Sequence, residues 1–109
     1  MAKHEFGIMD SPPEKGKRYD TYEPDKYNCI MTDDIYLEDI ITGFNHIDFY
    51  YHTTDIAGKG LNCCGITLIP PSSLPAFSEV IRDKQGLADL CALTGKALSE
   101  NKWIIHFGI

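Results

Sequence analysis

Apolar and polar residues alternate along this chain with two different periods, and the changes of period divide it into predicted elements. Strand-like patterns, either alternating or continuously apolar over a few residues, occur at four places. They are YNCIM at 27–31, HIDFYYHT at 46–53, LNCCGITLI at 61–69 and KWIIHFGI at 102–109. A further short apolar segment, EFGIM, lies at 5–9. The pattern therefore predicts four strands and an extra N-terminal segment.

A helical spacing of apolar residues appears between the first two predicted strands, in TDDIYLEDIITGF at 32–44. Four apolar residues recur there at i, i+3, i+4 and i+7 and would form one face of a helix. They are Leu37, Ile40, Ile41 and Phe44. Thr32 or Asp33 can cap the first turn, and Gly43 can end the helix. The segment predicts a helix of about three turns.

A second helical region follows Pro70 and Pro71, which end the preceding strand because proline donates no hydrogen bond to a sheet. Ser72 or Ser73 can cap this region, and a break near DKQG at 83–86 divides it. The apolar positions of the two pieces are Leu74, Phe77, Val80 and Ile81, then Leu87, Leu90, Cys91, Ala97 and Leu98. Two consecutive helical pieces are predicted.

The order of these elements points to a fold class. Strand, helix, strand, strand, helix in two pieces and strand is the order of the α+β, ferredoxin-like βαββαβ fold, an antiparallel sheet with helices on one face. Residues 10–26 hold three prolines and many charges without a period. We predict that this stretch is an extended arm or loop, with Tyr19, Tyr22 and Tyr27 as candidates to hold it against the domain.

Composition agrees with a single domain over residues 1–109. Hydrophobic residues make up 43% of the chain and charged residues 24%, which is ordinary globular usage. A chain of 109 residues can bury one core but is too short for two. No apolar stretch could span a bilayer, and the four cysteines form no C-x-x-C pair. We therefore expect reduced thiols in a soluble, cytoplasmic protein without a membrane partner.

The net charge of −6 belongs entirely to the first part of the chain. Residues 1–60 contain 6 Lys and Arg against 12 Asp and Glu, whereas residues 61–109 contain 4 of each. This acidity repels phosphate, and the basic cluster at 15–18 is too small to overcome it, so we do not expect nucleic acid as a partner. The segment from Asp20 to Asp48 has a net charge of −7 and suits a basic protein partner.

Two similar motifs, HEFGI at 4–8 and HFGI at 106–109, lie near the two ends of the sequence. In both, Phe and Ile share a face, and the Gly between them leaves room for a close neighbour or marks a bulge. His4 precedes its Phe by two positions and His106 by one, so relative to Phe they point to opposite faces. The two motifs therefore cannot be the same site made twice. We expect two strand ends that bury Phe and Ile, with Ile109 in the core and costly to delete by about 2–5 kcal/mol.

The strongest candidate for chemistry is HIDFYYH, where one face of the predicted strand carries a polar row. The row consists of His46, Asp48, Tyr50 and His52, all candidate catalytic residues. Neighbours in such a row lie about 6.6 Å apart, so adjacent side chains could reach one substrate or ion. His46, Asp48 and His52 are candidate ligands for zinc, iron or manganese, and a His could serve as general base. A solvated strand face or a subunit interface explains the same pattern and is the favoured interpretation.

Other residues add little chemistry. His106 could join the row as a further catalytic candidate, although a single His in an apolar strand is more often hydrogen-bonded packing. Cys63 and Cys64 point to opposite sides of a strand, and two small buried thiols are expected rather than a vicinal disulfide. The GKG at 58–60 predicts a hairpin turn, and the standard hydrolase, metalloprotease and dinucleotide motifs are absent from the sequence. No particular cofactor is implied.

Three segments, KGKRYDTYEPDKYNCI, GKGLNCCGITLIPPSSL and NKWIIHFGI, resemble parts of a family of small uncharacterised bacterial cytosolic proteins, a domain of unknown function. The resemblance covers most of the chain. It implies a free-standing bacterial cytosolic domain, and it transfers no activity, cofactor or catalytic residue.

Three hypotheses on function stay open. The first is a small binding module that self-associates, for example as a homodimer, or binds a protein partner through the polar aromatic face of HIDFYYH. The six tyrosines of the chain suit such a surface. The second is a small metal-dependent or histidine-based enzyme that uses the strand face of His46, Asp48 and His52, with His106 as a further candidate. The third is an acidic inhibitor of a basic toxin, of the immunity-protein type.

Overall fold

The strand and helix patterns assemble into a six-stranded antiparallel sheet in a computed structural model, which describes residues 2–109. The strands are β1 (Lys3–Ile8), β2 (Ile30–Asp33), β3 (Asp48–Tyr51), β4 (Ala57–Lys59), β5 (Ile66–Ile69) and β6 (Ile104–Phe107). The helices are α1 (Asp34–Glu38), α2 (Leu74–Ile81) and α3 (Ala88–Ser99), with 3-10 turns at Pro24–Tyr27, Ile41–Phe44 and Pro71–Ser73. The strand order is β2-β1-β6-β5-β3-β4.

The α+β class and the antiparallel sheet are confirmed, whereas the ferredoxin-like strand order is not. In that fold the strand before the first helix pairs with the strand before the second helix. Here β2 has β1 as its only neighbour, and β5 lies between β6 and β3. The extra N-terminal segment is the reason, because as β1 it pairs with both β2 and β6 and separates β2 from the remaining strands.

All three helices pack against one face of the sheet. Leu37 of α1, Phe77 of α2 and Leu90 of α3 belong to one buried apolar cluster, which the sheet completes with residues such as Phe6 and Phe49. The Phe77 ring lies 6.1 Å from the Phe6 ring and 6.2 Å from the Phe49 ring. This face forms the main core.

The opposite face of the sheet carries a second, smaller apolar cluster. Its buried members are Met9, Ile66, Leu68, Ile105 and Phe107. Tyr19 and Tyr27 pack against them, so the arm lies across this face of its own chain. Gly7 permits the approach, because a Cβ at this position would lie 2.6 Å from the Tyr27 Cβ. The close neighbour expected beside the glycine of HEFGI is therefore the segment that follows the arm.

No helix among residues 2–109 has the length and apolarity needed to cross a membrane.

The single three-turn helix predicted for 32–44 is wrong. α1 ends at Glu38, and a separate 3-10 turn covers Ile41–Phe44. Residues 40–42 are two isoleucines and a threonine, and this run of β-branched side chains disfavours a continuous helix. The apolar positions Leu37 and Phe44 are nevertheless both buried, as their spacing predicted.

The second helical region does form two helices, α2 and α3. The break between them passes through Asp83 and Gly86, which both have positive φ. The capping role predicted for Ser73 is wrong, because its hydroxyl makes no capping bond to α2. It donates instead to the backbone carbonyl of Asp48 at 2.5 Å and so ties the helix entrance to β3.

Two expectations near the C-terminus and the cysteines are also wrong. Ile109 is 49% exposed rather than buried, because β6 ends at Phe107. Its deletion should therefore have a smaller effect than the loss of a core aliphatic side chain. Cys63 is half-buried and Cys64 is exposed, because β5 begins only at Ile66 and the preceding residues form a turn.

Candidate functional site

The polar row predicted along HIDFYYH is only partly a strand face. β3 covers Asp48–Tyr51, so His46 precedes the strand, where it is exposed, and His52 follows it. The His52 backbone has a φ of 62°, a left-handed conformation that turns the chain out of the strand. Asp48 and Tyr50 share the face of β3 that lies away from the helices, since Phe49 between them joins the main core.

Asp48 and Tyr50 each have a neighbour of their own. The Lys59 Nζ lies 2.7 Å from the Asp48 Oδ1 in an exposed ion pair, which is worth at most about 1 kcal/mol. The Tyr50 ring lies 5.8 Å from the Trp103 ring and packs against the second cluster. Asp48 thus forms a surface ion pair, and Tyr50 packs against apolar residues.

His52 fastens the arm to the sheet. Its Nδ1 lies 2.9 Å from the Asp20 Oδ1 and 3.2 Å from the Tyr19 carbonyl oxygen, while its own carbonyl accepts the Tyr19 N–H at 2.7 Å. Its Nε2 accepts the Ile66 N–H at 3.5 Å. The Arg18 guanidinium and, to a lesser extent, His52 lower the pKa of the Asp20 carboxyl. Both ring nitrogens of His52 are thus used within the fold.

The three candidate metal ligands have separate surroundings. His46 is exposed, Asp48 pairs with Lys59 and His52 binds Asp20. Within residues 2–109, no group of three or more His, Cys, Asp or Glu side chains is placed to hold a metal ion.

The histidines of the two similar motifs meet, a contact that the sequence analysis did not predict. In the antiparallel pair of β1 and β6, Phe6 lies opposite His106. The face that carries His4 and Phe6 on β1 therefore carries His106 on β6. Each His points as predicted relative to its own Phe, but the register places the Phe of one motif beside the His of the other. The His4 Nδ1 lies 2.8 Å from the His106 Nε2, and the rings stack at 5.1 Å.

The same register separates His106 from the polar row. Tyr50 lies level with Leu68 and then Ile105, whereas Thr67 lies level with His106. His106 therefore faces the helices, on the side of the sheet opposite to Tyr50, and it is fully buried.

A chain of hydrogen bonds runs through the two histidines at one end of the sheet. The Asp34 Oδ1 lies 2.7 Å from the His4 Nε2, and the Thr67 Oγ1 lies 3.2 Å from the His106 Nδ1. The Thr67 Oγ1 also accepts the Asn62 N–H at 2.9 Å. We call Asp34, His4, His106 and Thr67 the histidine chain.

One arrangement of protons satisfies every member of the histidine chain. Thr67 O–H donates to His106 Nδ1, and His106 Nε2–H donates to His4 Nδ1. His4 Nε2–H then donates to the Asp34 carboxylate. Burial, and secondarily the neighbouring His4, lower the pKa of His106 to about 3, so this ring is neutral at pH 7. The arrangement is a closed structural network that joins β1, β5, β6 and α1.

Four surface cavities of 160 to 220 Å³ are each lined by residues outside the histidine chain. Three of them surround the arm and share Lys26 and Tyr27. The fourth is lined by Asp20, His52 and Cys64 among others. Ligand pockets commonly enclose about 300–1,000 Å³, so these are shallow depressions by comparison.

A surface that the sequence analysis did not single out lies along β2 and α1. Met31 is 63% exposed and Ile35 is 50% exposed, although both are large apolar residues. Three acidic side chains accompany them. All five residues lie in the segment 31–39, which leaves β2, the outermost strand at this side of the sheet, and continues through α1. We call Met31, Asp33, Ile35, Glu38 and Asp39 the acidic edge.

The charges of the acidic edge are largely uncompensated. Asp33 caps α1 by accepting the Ile35 N–H at 3.2 Å, and Lys3 faces it across the β1–β2 pair. Among the ion pairs within residues 2–109, none includes Glu38 or Asp39. A sequence signal does exist, since residues 27–58 contain no Lys or Arg. Only the structure shows that this stretch supplies an exposed edge.

No protein-family model, curated protein or solved structure matches this chain. The resemblance to small bacterial proteins therefore stays a prediction.

Proposed function

We propose that this chain is a small protein-binding module that docks a basic protein through the acidic edge. The supporting observation is that Met31 and Ile35 are exposed in the segment 31–39, whose acidic residues Glu38 and Asp39 have no ion-pair partner within residues 2–109. Apolar side chains inside a polar, charged rim are typical of a binding surface. An acidic rim adds attraction for a basic partner and speeds the encounter.

Charge favours a different protein over a second copy of this one at the acidic edge. In a symmetric dimer built on this surface, the carboxylates of Glu38 and Asp39 would face the same groups of the other copy. Like charges brought together are unfavourable, whereas a basic partner would neutralise them. Of the two forms of the binding-module hypothesis, self-association and binding of a different protein, we therefore propose the second.

The surroundings of the histidines give less support to the enzyme hypothesis. His52 uses both ring nitrogens to hold the arm and β5, and His106 is buried in a network whose residues do not line the four surface cavities. A general base must reach the proton that it removes. The acidic edge needs no rearrangement before a partner can touch it.

Charge reversal at the acidic edge tests the proposal. Wild-type protein, the double variant Glu38→Lys/Asp39→Lys and the control Asp10→Lys/Asp55→Lys would be immobilised and exposed to extract from the source cells. The control makes the same change of net charge at exposed positions outside the acidic edge. We expect a basic protein that wild type and control retain, and that the edge variant loses, as quantified by mass spectrometry.

The captured protein then provides a sharper measurement. Its association rate with wild type should fall steeply between about 50 and 500 mM salt, because salt screens the attraction of exposed charges. An association rate that does not change with salt, or equal capture by the edge variant and the control, would show that the acidic edge is not the docking surface.

A further inference from the structure

The two outer edges of the sheet differ in how they are protected. At the β4 edge, the Tyr51 ring lies over Gly58, and its hydroxyl is 2.8 Å from the carbonyl oxygens of both Lys59 and Gly60. The alternation of hydrogen bonds between β3 and β4 turns the Lys59 carbonyl away from β3. A side chain of this protein thus occupies the outward carbonyl of one edge, and an exposed lysine lies beside it.

At the β2 edge, residues 2–109 provide no such cover. The Asp34 N–H donates to the Ala2 carbonyl at 3.0 Å, which makes these residues a hydrogen-bonded pair of the β1–β2 ladder. By alternation, Thr32 and Ile30 also turn their backbone groups toward β1. The N–H and C=O of Met31 and the N–H of Asp33 therefore face outward, where the sheet has no further strand.

The side chains along β2 indicate what could pair there. Met31 and Asp33 share the face away from the helices, while Thr32 between them is buried under the helix face. An added strand would lie beside the exposed methionine and the Asp33 carboxylate, and Glu38 and Asp39 follow within the same segment of the chain. Lysine side chains on the face that carries Met31 and Asp33 would pair with the Asp33 carboxylate and lay their aliphatic stems on the methionine.

We propose that the acidic edge binds its partner by strand addition, with an extended basic segment of the partner pairing with β2 as a seventh strand. The inference rests on the proposed function and specifies how the docking occurs. Backbone hydrogen bonds to Met31 and Asp33 align the segment, and the acidic side chains select basic over acidic sequences. A second copy of β2 is disfavoured as the added strand, because it would bring its own acidic residues.

A ten-residue peptide of alternating lysine and valine provides the probe. Met31→Pro removes an outward N–H without taking a hydrogen bond from β1, and it leaves the charge unchanged. Met31→Ala removes the same side chain but keeps the N–H. By isothermal titration calorimetry at low salt, we expect the proline variant to bind at least about tenfold more weakly than the alanine variant, a loss of about 1.4 kcal/mol.

Amide hydrogen exchange of wild type checks the same inference without any variant. Addition of the peptide should slow exchange at Met31 and Asp33, whose N–H groups face outward, relative to the exposed amides of the arm. The result stays informative even where the proline variant does not fold.

The outcomes separate strand addition from basic docking in general. Peptide binding that Glu38→Lys/Asp39→Lys weakens, but that Met31→Pro and Met31→Ala weaken equally, overturns strand addition and leaves the docking surface standing. Absence of protection at Met31 and Asp33 in the peptide complex does the same. A peptide that does not bind wild type also overturns strand addition, while the capture experiment decides the docking surface independently.

Discussion

At the scale of single residues, the contact of His4 with His106 shows where sequence reasoning stops. Alternation along each strand correctly predicts which neighbours share a face with each histidine. It does not say that Phe6 lies opposite His106, because these two residues are 100 positions apart in the sequence. The packing interpretation offered for His106 describes its surroundings well, but its partners Asp34 and Thr67 belong to elements that no local pattern connects to it.

The stability losses from replacing His4 and His106 should not be additive, because each ring is the hydrogen-bond partner of the other. His4→Leu or His106→Leu alone leaves a buried ring nitrogen without its partner, and we expect each to lower the free energy of unfolding by about 2–4 kcal/mol. The double variant should lose about 1–2 kcal/mol less than the sum of the two single losses. Urea denaturation measures all three.

His46→Ala is the matched control for this cycle, because His46 is exposed and should change stability by less than about 0.5 kcal/mol. Single variants as stable as this control would show that the histidine chain contributes little.

At the scale of elements, the helical spacing of apolar residues predicted α2 and α3 correctly but predicted a continuous helix over 32–44 that does not form. The apolar stripes of α2 and α3 predicted two consecutive helices, which the structure contains. The stripe of 32–44 predicted burial of Leu37 and Phe44 correctly but not the helix between them, because β-branched residues interrupt it. The acidic edge arises from this misread element, since α1 ends at Glu38 and leaves its acids at the end of a short helix.

The β4 edge offers a test of close packing within one element pair. A Cβ at Gly58 would overlap the Tyr51 ring, so Gly58→Ala should displace that ring and lower stability by about 1–3 kcal/mol. Tyr51→Phe removes only the hydroxyl and should lower it by about 1 kcal/mol. Gly95→Ala is the control, because nothing lies within 4 Å of the added methyl group in α3. It should raise helix stability by up to about 1 kcal/mol. Similar effects of the two glycine substitutions in urea denaturation would contradict the packing of Tyr51 on Gly58.

At the scale of the whole molecule, both faces of the sheet are covered by the chain itself. Helices pack on one face, and the arm, fastened at His52, lies across the other. The sequence predicted the helix layer, but the polar face proposed for partner binding is partly occupied by the arm and Trp103. Only the strand order, which depends on distant pairings, reveals that β2 lies at an exposed edge.

Acid should weaken the whole sheet through the histidine chain. The pKa of His106 is about 3 in the folded chain, below the ordinary value of 6.5, so the unfolded chain binds its proton at higher pH. The contribution of His106 to the free energy of unfolding is therefore fully present above about pH 6.5. It decreases as the pH falls toward 3, by at most about 1.4 kcal/mol per pH unit. Asp34 and the neighbouring His4 face the same network.

The measurement is urea denaturation of wild type and His106→Leu between pH 5 and 7.5, a range mostly above carboxylate titration. Wild type should lose stability more steeply as the pH falls from 6.5. Parallel losses in the two proteins would mean that His106 is not held neutral by burial.

The central pairing of β1 with β6 also has a consequence during protein synthesis. Among the six strands β1 is synthesised before the others, yet one of its two sheet neighbours, β6, is synthesised after them. Until then Phe6 has only its β2 partner and Ile8 has no strand partner, and the nascent chain has no complete core. The sheet must therefore assemble late and over long loops, a slow route that leaves time for chaperones to hold the unfinished chain.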